Sequence, residues 1–484
     1  MERRAARVRL EADPCSHLPN VHSRPEGLLS WLASFFVHTV ILVVLALVGL
    51  NLRSGAAGTG LTAWVAAREP VEPWAAQELA LEPLTEAEAV EPEVAPAELP
   101  RLAPPAELSA ELGARRDVAG LNAFLPSEGF QRIGSGWGLG DRSLQARAAM
   151  AASGGDGGPS GESEEAVERG LRWLVAHQLR DGSWDFDHQQ GLCQGLCRNP
   201  GTATSRTAAT AMALLAFLGA GYTHQSGEHR DVVRRGLYSL QSRGVITPQG
   251  IDLQDGTMYG QGLAAVALCE AYAMTGDPSL RAVAQGAIDF VVYAQDQEGG
   301  GWRYRPHQPG DTTVTGWQIM ALKSGQMAGL YVPLSAFYRA QQFLTQVQSD
   351  DGAQYGYMSP RPGRTTTAIG LLCRMFAGWG HQHPGLQRGV AHLARWGPSE
   401  TNIYYNYYAT QVMFHWRGSD WKRWNRQLRA YLVATQAGRG HEAGSWYFPD
   451  KKTAPGGRLC STALAIMTLE VYYRYLPLYD SRAF

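Results

Sequence analysis

The chain has 484 residues, 45% of them hydrophobic, and its 43 basic side chains nearly balance 44 acidic ones. A net charge close to zero excludes the basic surface by which nucleic-acid-binding proteins are recognised. The length and the hydrophobic content allow a large core, and the length alone would accommodate about three domains.

The N-terminal part reads as a membrane anchor. Residues 1–27 contain five arginines, and residues 28–50 are almost entirely apolar. A helix of this length is about 34 Å long, enough to cross a bilayer. A cleaved signal peptide is the alternative, but its apolar core is shorter, roughly 7–15 residues. We therefore expect a transmembrane helix at 28–50, with the tail 1–27 in the cytoplasm and the rest outside, because arginines stay on the cytoplasmic side.

Residues 51–157 have the composition of a linker. Glu-Pro and Ala-Pro pairs recur among alanine and glutamate, and such a Pro/Glu/Ala-rich tract cannot bury enough apolar surface to fold. One short helix is predicted within it, at 142–152. The glycine-rich stretch 154–159 is a flexible break, and the folded domain is expected at 158–484.

One short motif recurs through this domain. It reads QLRDGSW at 178–184, and further copies lie at 295–302, 348–355 and 436–446, with degenerate copies at 241–244 and 393–397. Spacings of roughly 40 to 65 residues indicate a repeat architecture. The glutamine can bond backbone carbonyls at a helix end, the glycine permits the turn, and the aromatic ring plugs it. Unrelated helix ends are the alternative, since glycine often follows a helix.

Twelve helical segments are predicted from the apolar periodicity. Six carry charge on one face and are expected outside: 164–179, 229–242, 279–296, 334–348, 384–396 and 420–436. Six are apolar nearly all round, which is typical of buried helices: 205–220, 258–274, 312–329, 365–379, 402–416 and 459–473. Ser163 is expected to cap the first helix. No run of alternating strands is evident, and the pairs fit two concentric rings.

The motif at 178–184, with its spacing and the helix count, resembles the prenyltransferase and squalene oxidase repeat of squalene-terpenoid cyclases and prenyltransferase β subunits. The resemblance covers about 160–484. It implies an all-α fold, an (α/α)6 toroid of twelve helices in two rings. The chain is similar to a branch of bacterial proteins with a membrane anchor and a single toroid, whose activity is unassigned. This implies a single-pass protein of the bacterial inner membrane, with the C-terminal domain outside the cytoplasm.

The catalytic residues of the cyclases are matched only in part. Their Asp-x-Asp-Asp-Thr-Ala motif opens an inner helix, and its middle aspartate is the proton donor. In the matching stretch 311–316, Asp311 aligns with the first aspartate, but Thr313 and Val314 replace the acids. A threonine hydroxyl is not a strong acid. Cyclisation by protonation is therefore not expected, and Asp311 is interpreted as a helix N-cap.

Metal and cofactor sites are not expected either. The prenyltransferase zinc site needs Asp, Cys and His, and Cys460 has no such partners in the sequence. Cys193 and Cys197, four positions apart in a loop, are a disulfide candidate, with free thiols or metal ligation as alternatives. Glu270 and Glu470, on inner helices, are interpreted as bonded structural carboxylates.

The inner-helix N-termini should converge on one mouth, with the aromatic and polar composition of a small-molecule pocket. The residues placed there are Tyr259, Gln261, Trp302, Tyr304, Asp311, Thr313, Trp317, Arg364, Thr366, Tyr404, Tyr405 and Tyr408. Helix dipoles would favour an anionic head group, bound near Arg364. Aromatic rings that simply fill the ring centre are the alternative.

The expected function is the binding of an isoprenoid-like lipid or of an envelope protein partner. An enzyme of terpenoid cyclase or prenyltransferase type with non-standard initiation is one alternative, although the unmatched catalytic residues argue against catalysis. A structural envelope protein is the other.

Overall fold

The computed structural model describes residues 144–153, 157–190, 193–451, 453–474 and 478. All of them fall within one unit, residues 71–484. The predicted tail at 1–27, the predicted transmembrane helix at 28–50 and most of the predicted linker lie outside the described residues. Among the residues that are described, no helix is long and apolar enough to cross a membrane.

The described residues are mostly helical. Their fourteen α-helices are α1 Leu144–Ser153, α2 Gly161–Ala176, α3 Arg206–Gly219, α4 Arg230–Ser242, α5 Met258–Thr275, α6 Pro278–Tyr293, α7 Thr312–Met327, α8 Leu334–Gln346, α9 Arg364–Phe376, α10 Pro384–Trp396, α11 Ile403–Trp416, α12 Gly418–Thr435, α13 Gly457–Leu469 and α14 Val471–Arg474. The four strands are β1 Val245–Thr247, β2 Gly250–Asp252, β3 Gln348–Ser349 and β4 Gln354–Tyr355.

Helices α2 to α13 match the twelve predicted segments to within a few residues. Polar caps set several of their starts, because a side-chain oxygen satisfies a free N–H of the first turn. The first cap differs from the prediction. Ser160, not Ser163, is the N-cap, and the two serines form a reciprocal capping box in which each hydroxyl accepts the other's backbone N–H.

The packing of the inner helices closes a ring. Helix α3 packs on α5, α5 on α7, α7 on α9, α9 on α11, α11 on α13, and α13 returns to α3. The outer helices lie against them: α4 on α3, α6 on α5, α8 on α7, α10 on α9, α12 on α11, and α2 on α13. The architecture is an α/α toroid, and the space that the six inner helices enclose is called the lumen below.

Two small sheets were not predicted. Strands β1 and β2 form an antiparallel hairpin with Val245 opposite Asp252, and β3 pairs with β4 with Gln348 opposite Tyr355. Both occupy turns between an outer and an inner helix. The first follows the degenerate motif copy at 241–244, where Gly250, with φ +126°, permits the reversal. The description "all-α" therefore holds for the two rings and not for these turns.

Three of the four motif glutamines, all but Gln348, join their hairpin to the next. Gln178 donates through Nε2 to Gly182 O (2.9 Å) in its own turn and to Val232 O (2.9 Å) in the next outer helix. Gln295 bonds Gly300 and Ala336 in the same way, and Gln436 bonds Gly444 and Ala166. Each glutamine oxygen accepts from an arginine of that helix: Arg235, Arg339 and Arg169. Since Ala166 and Arg169 belong to α2, the last copy joins the end of the ring to its beginning.

The motif tryptophans are buried plugs with satisfied N–H groups. The indole N–H groups of Trp184, Trp302 and Trp446 donate to Leu174 O, Val291 O and Leu432 O at 2.7–2.8 Å. Their backbone N–H groups donate to a threonine of the following inner helix: Thr210, Thr315 and Thr462. The predicted role of the aromatic residue is confirmed, and each ring fixes an outer helix to its inner partner.

Candidate functional site

The N-termini of inner helices lie side by side at one end of the lumen. Tyr259, in the first turn of α5, donates its hydroxyl to Thr313 Oγ1 (2.6 Å) at the start of α7. Asn402, the N-cap of α11, donates through Nδ2 to Thr365 Oγ1 (3.3 Å) at the start of α9. These contacts between neighbouring helices build the mouth of the lumen.

Asp311 caps α7 and places a carboxyl in this mouth. Its Oδ1 accepts from the backbone N–H groups of Thr313 and Val314 (both 2.9 Å) and from the Thr313 hydroxyl (2.6 Å). The predicted N-cap role is therefore seen directly. Tyr259, Thr313 and Asp311 together form a chain of hydrogen bonds.

The second oxygen of Asp311 has a different environment. Oδ2 is buried and has no hydrogen-bond partner among the described residues; Arg303 Nε lies 3.9 Å away. Burial raises the pKa of the Asp311 carboxyl to about 6, against the opposing effects of the Thr313 hydrogen bond and the Arg303 charge. This oxygen is an acceptor available to a hydroxyl or amide donor.

Aromatic side chains bridge the lumen just behind the mouth. The Trp317 indole N–H donates to the Tyr404 hydroxyl (2.8 Å), and Trp317 stacks on Tyr407 with ring centroids 5.7 Å apart. The ring of Tyr408 meets both Trp317 (5.8 Å) and Tyr404 (5.2 Å) edge to face. Since α7 and α11 are separated by α9 in the ring, these contacts pass on the lumen side of α9. We call Trp317, Tyr404, Tyr407 and Tyr408 the lumen aromatic cluster.

The tyrosines at this end of the lumen are uncharged, and the charged side chains beside them are Asp311 and Arg303. Burial raises the pKa of Tyr259, Tyr404 and Tyr408 above the ordinary phenol value, so their hydroxyls stay neutral. Tyr404, at 9% relative exposure, is the most exposed of the three.

Tyr304 forms the edge of the mouth. Its hydroxyl bonds the Tyr357 hydroxyl (2.8 Å), its ring lies 6.3 Å from that of Tyr259, and the Arg303 guanidinium stacks over it at 5.2 Å. Tyr304, Tyr259, Asp311, Thr313, Trp317, Tyr404 and Tyr408 are thus the predicted site residues that the structure brings together.

Two other predicted site residues have structural roles. The Gln261 side chain accepts from Leu253 N (2.6 Å) and donates to Ile251 O and Ala287 O. It performs in the second hairpin the joining that motif glutamines perform elsewhere. Trp302 is the plug already described and lies between an outer and an inner helix.

Three more predicted site residues are engaged away from the lumen aromatic cluster. The Arg364 guanidinium lies 5.6 Å over the Trp396 ring of the outer helix α10. The Thr366 hydroxyl accepts the Gly363 N–H (3.2 Å) in the cap of its own helix and donates to Tyr355 O (2.6 Å). The Tyr405 hydroxyl donates to Gly397 O (3.2 Å), and its ring meets Trp424 of α12.

Sequence reasoning missed three residues of the site. Arg303 directly follows a motif tryptophan, Tyr357 lies in the loop between β4 and α9, and Tyr407 lies between two predicted tyrosines. A usable signal existed for Arg303 and Tyr357, because both precede an inner helix and so had to lie near the mouth. Tyr407 carried no signal that separates it from its neighbours.

The predicted structural carboxylates lie at the opposite ends of the inner helices. Arg474 Nη2 bonds both oxygens of Glu270 (3.0 and 3.1 Å), and Nη1 lies 3.5 Å from Glu470 Oε2. All three side chains are buried. This arrangement agrees with the structural interpretation of both glutamates.

A second group of chemically active side chains lies outside the lumen. One ligand atom each of His177, Cys193, Cys197 and His441 lies within 4.8 Å of the other three. The two sulfurs are not bonded to each other in the structure. The two cysteines are predicted as a pair from their spacing, but no local pattern predicts a role for His177 or His441, since these residues stand far apart in the chain.

No family model matches the chain, and no curated protein matches its sequence. Solved structures are similar in fold. An α-mannanase, BT2949, from Bacteroides thetaiotaomicron shares 12% identity over 68% of this chain and 98% of that one, with a TM-score of 0.46. The type II terpene cyclase MstE from Scytonema shares 13% identity over 64% and 97%, with a TM-score of 0.45. The α-1,6-mannanase GH76A of a Salegentibacter species shares 11% identity over 64% and 98%, also at 0.45. At these values the likeness says nothing about the chemistry of this chain.

Proposed function

We propose that the toroid binds one isoprenoid-like lipid in its lumen. The observation that carries the proposal is the lumen aromatic cluster, which joins α7 and α11 inside the ring beside a buried carboxyl that has one open acceptor oxygen. Aromatic and apolar walls with few polar atoms suit a hydrocarbon chain. The Tyr259 hydroxyl already donates to Thr313, the Thr313 hydroxyl to Asp311, and the Trp317 N–H to the Tyr404 hydroxyl. These groups leave few donors for a sugar.

The polar end of the ligand is a hydrogen-bond donor such as a hydroxyl. Asp311 Oδ2 lacks a donor among the described residues and is held in the mouth. The expected anionic head near Arg364 is not favoured, because an ionised Asp311 would repel it and the Arg364 guanidinium lies over Trp396. A neutral isoprenoid alcohol meets both conditions.

Entry of the lipid requires Tyr404 to turn. This side chain is the most exposed tyrosine of the lumen aromatic cluster and has one neutral hydrogen bond, from Trp317. Breaking such a bond costs about 1 kcal/mol, which apolar contact with the lipid readily offsets.

The proposal is tested by extracting the lipids that co-purify with the full chain and identifying them by mass spectrometry. The native protein is expected to carry an isoprenoid alcohol. Tyr404→Ala should lose it. Tyr405→Ala, which removes the same ring from the same helix on its outward face, should retain it. An unoccupied native protein, or equal lipid on Tyr404→Ala, would contradict the proposal and favour a structural role.

The enzyme alternative has one supporting observation, the Asp311 carboxyl with its pKa near 6. A carboxyl of this strength can donate a proton to a basic oxygen, but it is a weak acid towards an alkene. We therefore expect no cyclic triterpene when the purified chain is incubated with squalene. A cyclic product that disappears with Asp311→Asn would establish catalysis instead.

The same proposal places the toroid outside the cytoplasm, anchored by residues 28–50. The arginines at 1–27 support this orientation. A phosphatase reporter fused after Phe484, of a kind active only outside the cytoplasm, should be active. An inactive reporter, with a cytoplasmic reporter active at the same position, would reverse the topology.

A further inference from the structure

Four candidate ligands meet where the first hairpin of the ring adjoins the last. His177 follows α2, Cys193 and Cys197 lie in the loop before α3, and His441 lies in the loop between α12 and α13. We propose that these four side chains bind one zinc ion, and that the ion holds the two ends of the ring together. The name "metal clasp" is used below for this set.

The distances suit tetrahedral zinc. Cys197 Sγ lies 3.4 Å from His177 Nε2 and 3.2 Å from His441 Nδ1, and Cys193 Sγ lies 3.6 Å from His441 Nδ1. With Zn–S near 2.3 Å and Zn–N near 2.0 Å, tetrahedral geometry separates sulfur from nitrogen by about 3.5 Å. Two thiolates and two imidazoles are a common zinc donor set.

Hydrogen bonds and loop turns in the first hairpin orient the side chains of its three ligands. The carbonyl of Trp173 lies 2.6 Å from His177 Nδ1 and can only accept, so Nδ1 carries the proton and Nε2 presents a lone pair towards Cys197. Such a bond behind a ligating histidine is usual in metal sites. Gln194 and Gly195, both with positive φ, turn the loop so that the two sulfurs face one point, and Cys197 N–H donates to Cys193 Sγ (3.2 Å).

A polar frame fixes His441 against this loop. Arg198 donates to Glu442 through its backbone N–H and its guanidinium at 2.8–2.9 Å. Arg458 Nη2 lies 3.2 Å from Glu442 and bonds Asn199 Oδ1 (2.9 Å). The Arg198–Glu442 and Arg458–Asn199 bonds link segments more than 240 residues apart. They hold His441 beside the cysteines without requiring a bound metal.

The metal clasp is structural in character. Four protein ligands complete the tetrahedron and leave no position for a substrate. The site lies at the one junction of the ring that is not spanned by continuous chain, and so the binding energy of the metal stabilises ring closure. Binding releases the two thiol protons, and the resulting zinc centre is neutral.

A disulfide between Cys193 and Cys197 is the competing use of the same thiols, and it remains a prediction from the sequence. It would require oxidation and would remove two ligands. The arrangement of both imidazoles around Cys197 favours the metal, because a disulfide gives His177 and His441 no function at this place.

The test is the metal content of the full chain, purified without chelator. Inductively coupled plasma mass spectrometry should find one zinc ion per chain. Cys197→Ser and His441→Ala should lose the metal, and His441 is exposed, so its loss cannot collapse the core. Cys373→Ala, which removes a buried thiol of α9, should keep it. Zinc-free native protein, with the two thiols either reduced or joined, overturns the proposal, as does zinc retained by Cys197→Ser.

The position of the metal clasp is tested by hydrogen exchange after chelation and after return of zinc chloride. Chelation should accelerate exchange at 177–200 and 437–446 and leave α7 and α8 unchanged, and zinc chloride should reverse the effect. No change at the junction, or an equal change around the ring, overturns the role in closure.

Discussion

At the residue scale, Asp311 is both a helix cap and the only carboxyl placed in the mouth among the described residues of the site. Oδ1 forms the cap, since it accepts three hydrogen bonds, and Oδ2 accepts none from the described residues. The capping bonds hold the carboxyl at the lumen in spite of the cost of burial. Oδ2 is therefore the atom that would accept a hydrogen bond from a donor group of the ligand.

The raised pKa of Asp311 predicts a pH-dependent stability. As the pH rises from 3.8 to about 6, the unfolded chain ionises this group first, so the free energy of unfolding falls. Asp311→Asn keeps the cap but cannot ionise. Relative to wild type, its free energy of unfolding should rise across this range by on the order of 3 kcal/mol, measured by urea unfolding at several pH values.

Asp277→Asn is the matched control, since Asp277 also caps a helix but its pKa is lowered to about 2 by the hydrogen bond from His224. Because of this lowered pKa, the ionised Asp277 carboxylate stabilises the folded chain above pH 3.8. That stabilisation is lost as the pH falls through about 2. The variant should therefore lose stability at neutral pH. A difference between Asp311→Asn and wild type that does not vary with pH would refute the assigned pKa.

The sequence does not predict which of Tyr404 and Tyr405 faces the lumen. Adjacent positions on a helix point about 100° apart, so only one of the two can face the lumen. Helix α11 is apolar on all sides, and its sequence therefore gives no direction to the lumen. Packing against α7, which no local pattern encodes, decides that Tyr404 faces inward.

At the element scale, the motif is a joint between hairpins. The sequence predicted that the glutamine amide bonds carbonyls, and it does, but one of the two carbonyls belongs to the next outer helix. The motif glycine explains this proximity. Gly300, with φ +79°, lies so close to the backbone of α8 that a Cβ would overlap the Arg339 carbonyl. The local sequence pattern predicts the turn, but it does not predict that the next outer helix packs against it.

Gln295→Met tests the joint. The substitution keeps the volume but leaves the Gly300 and Ala336 carbonyls, and the Arg339 guanidinium, without their partner. Gly300 and Ala336 are buried and Arg339 is only half-buried. Each buried unsatisfied group costs roughly 1–3 kcal/mol, so unfolding by urea should show a loss of about 2–6 kcal/mol. Gln249→Met, at an exposed turn, should change stability by less than about 0.5 kcal/mol. Equal small effects would show that the motif bonds do not hold the hairpins.

At the scale of the whole molecule, the ring is closed by contacts between its first and last hairpins. Gln436 reaches α2, α13 packs on α3, and the metal clasp lies at the same junction. The repeat count allowed the closed ring to be predicted. The role of His441 as a ligand could not be predicted, because His441 lies 244 positions from Cys197 in the chain. The two residues meet only when the ring closes.

Arg474 should be a strong determinant of ring stability. It joins Glu270 of α5, Glu470 after α13 and Leu215 O of α3 in one buried cluster. Arg474→Met leaves two buried carboxylates without their cation, which should cost on the order of 3–5 kcal/mol in denaturant unfolding followed by circular dichroism. Adding Glu270→Gln and Glu470→Gln should restore much of the loss. A triple variant no more stable than Arg474→Met would contradict this account.

The central claim is that the lumen aromatic cluster is a lipid-binding surface and not only the filling of a ring. The most direct measurement is photo-crosslinking of the full chain with a diazirine-bearing isoprenoid alcohol, followed by peptide mapping. If the cluster binds lipid, labels are expected on α7 and α11, at or near Trp317 and Tyr404, and an excess of unlabelled alcohol should remove them. Labels confined to outer helices, or no competed label at all, would contradict it.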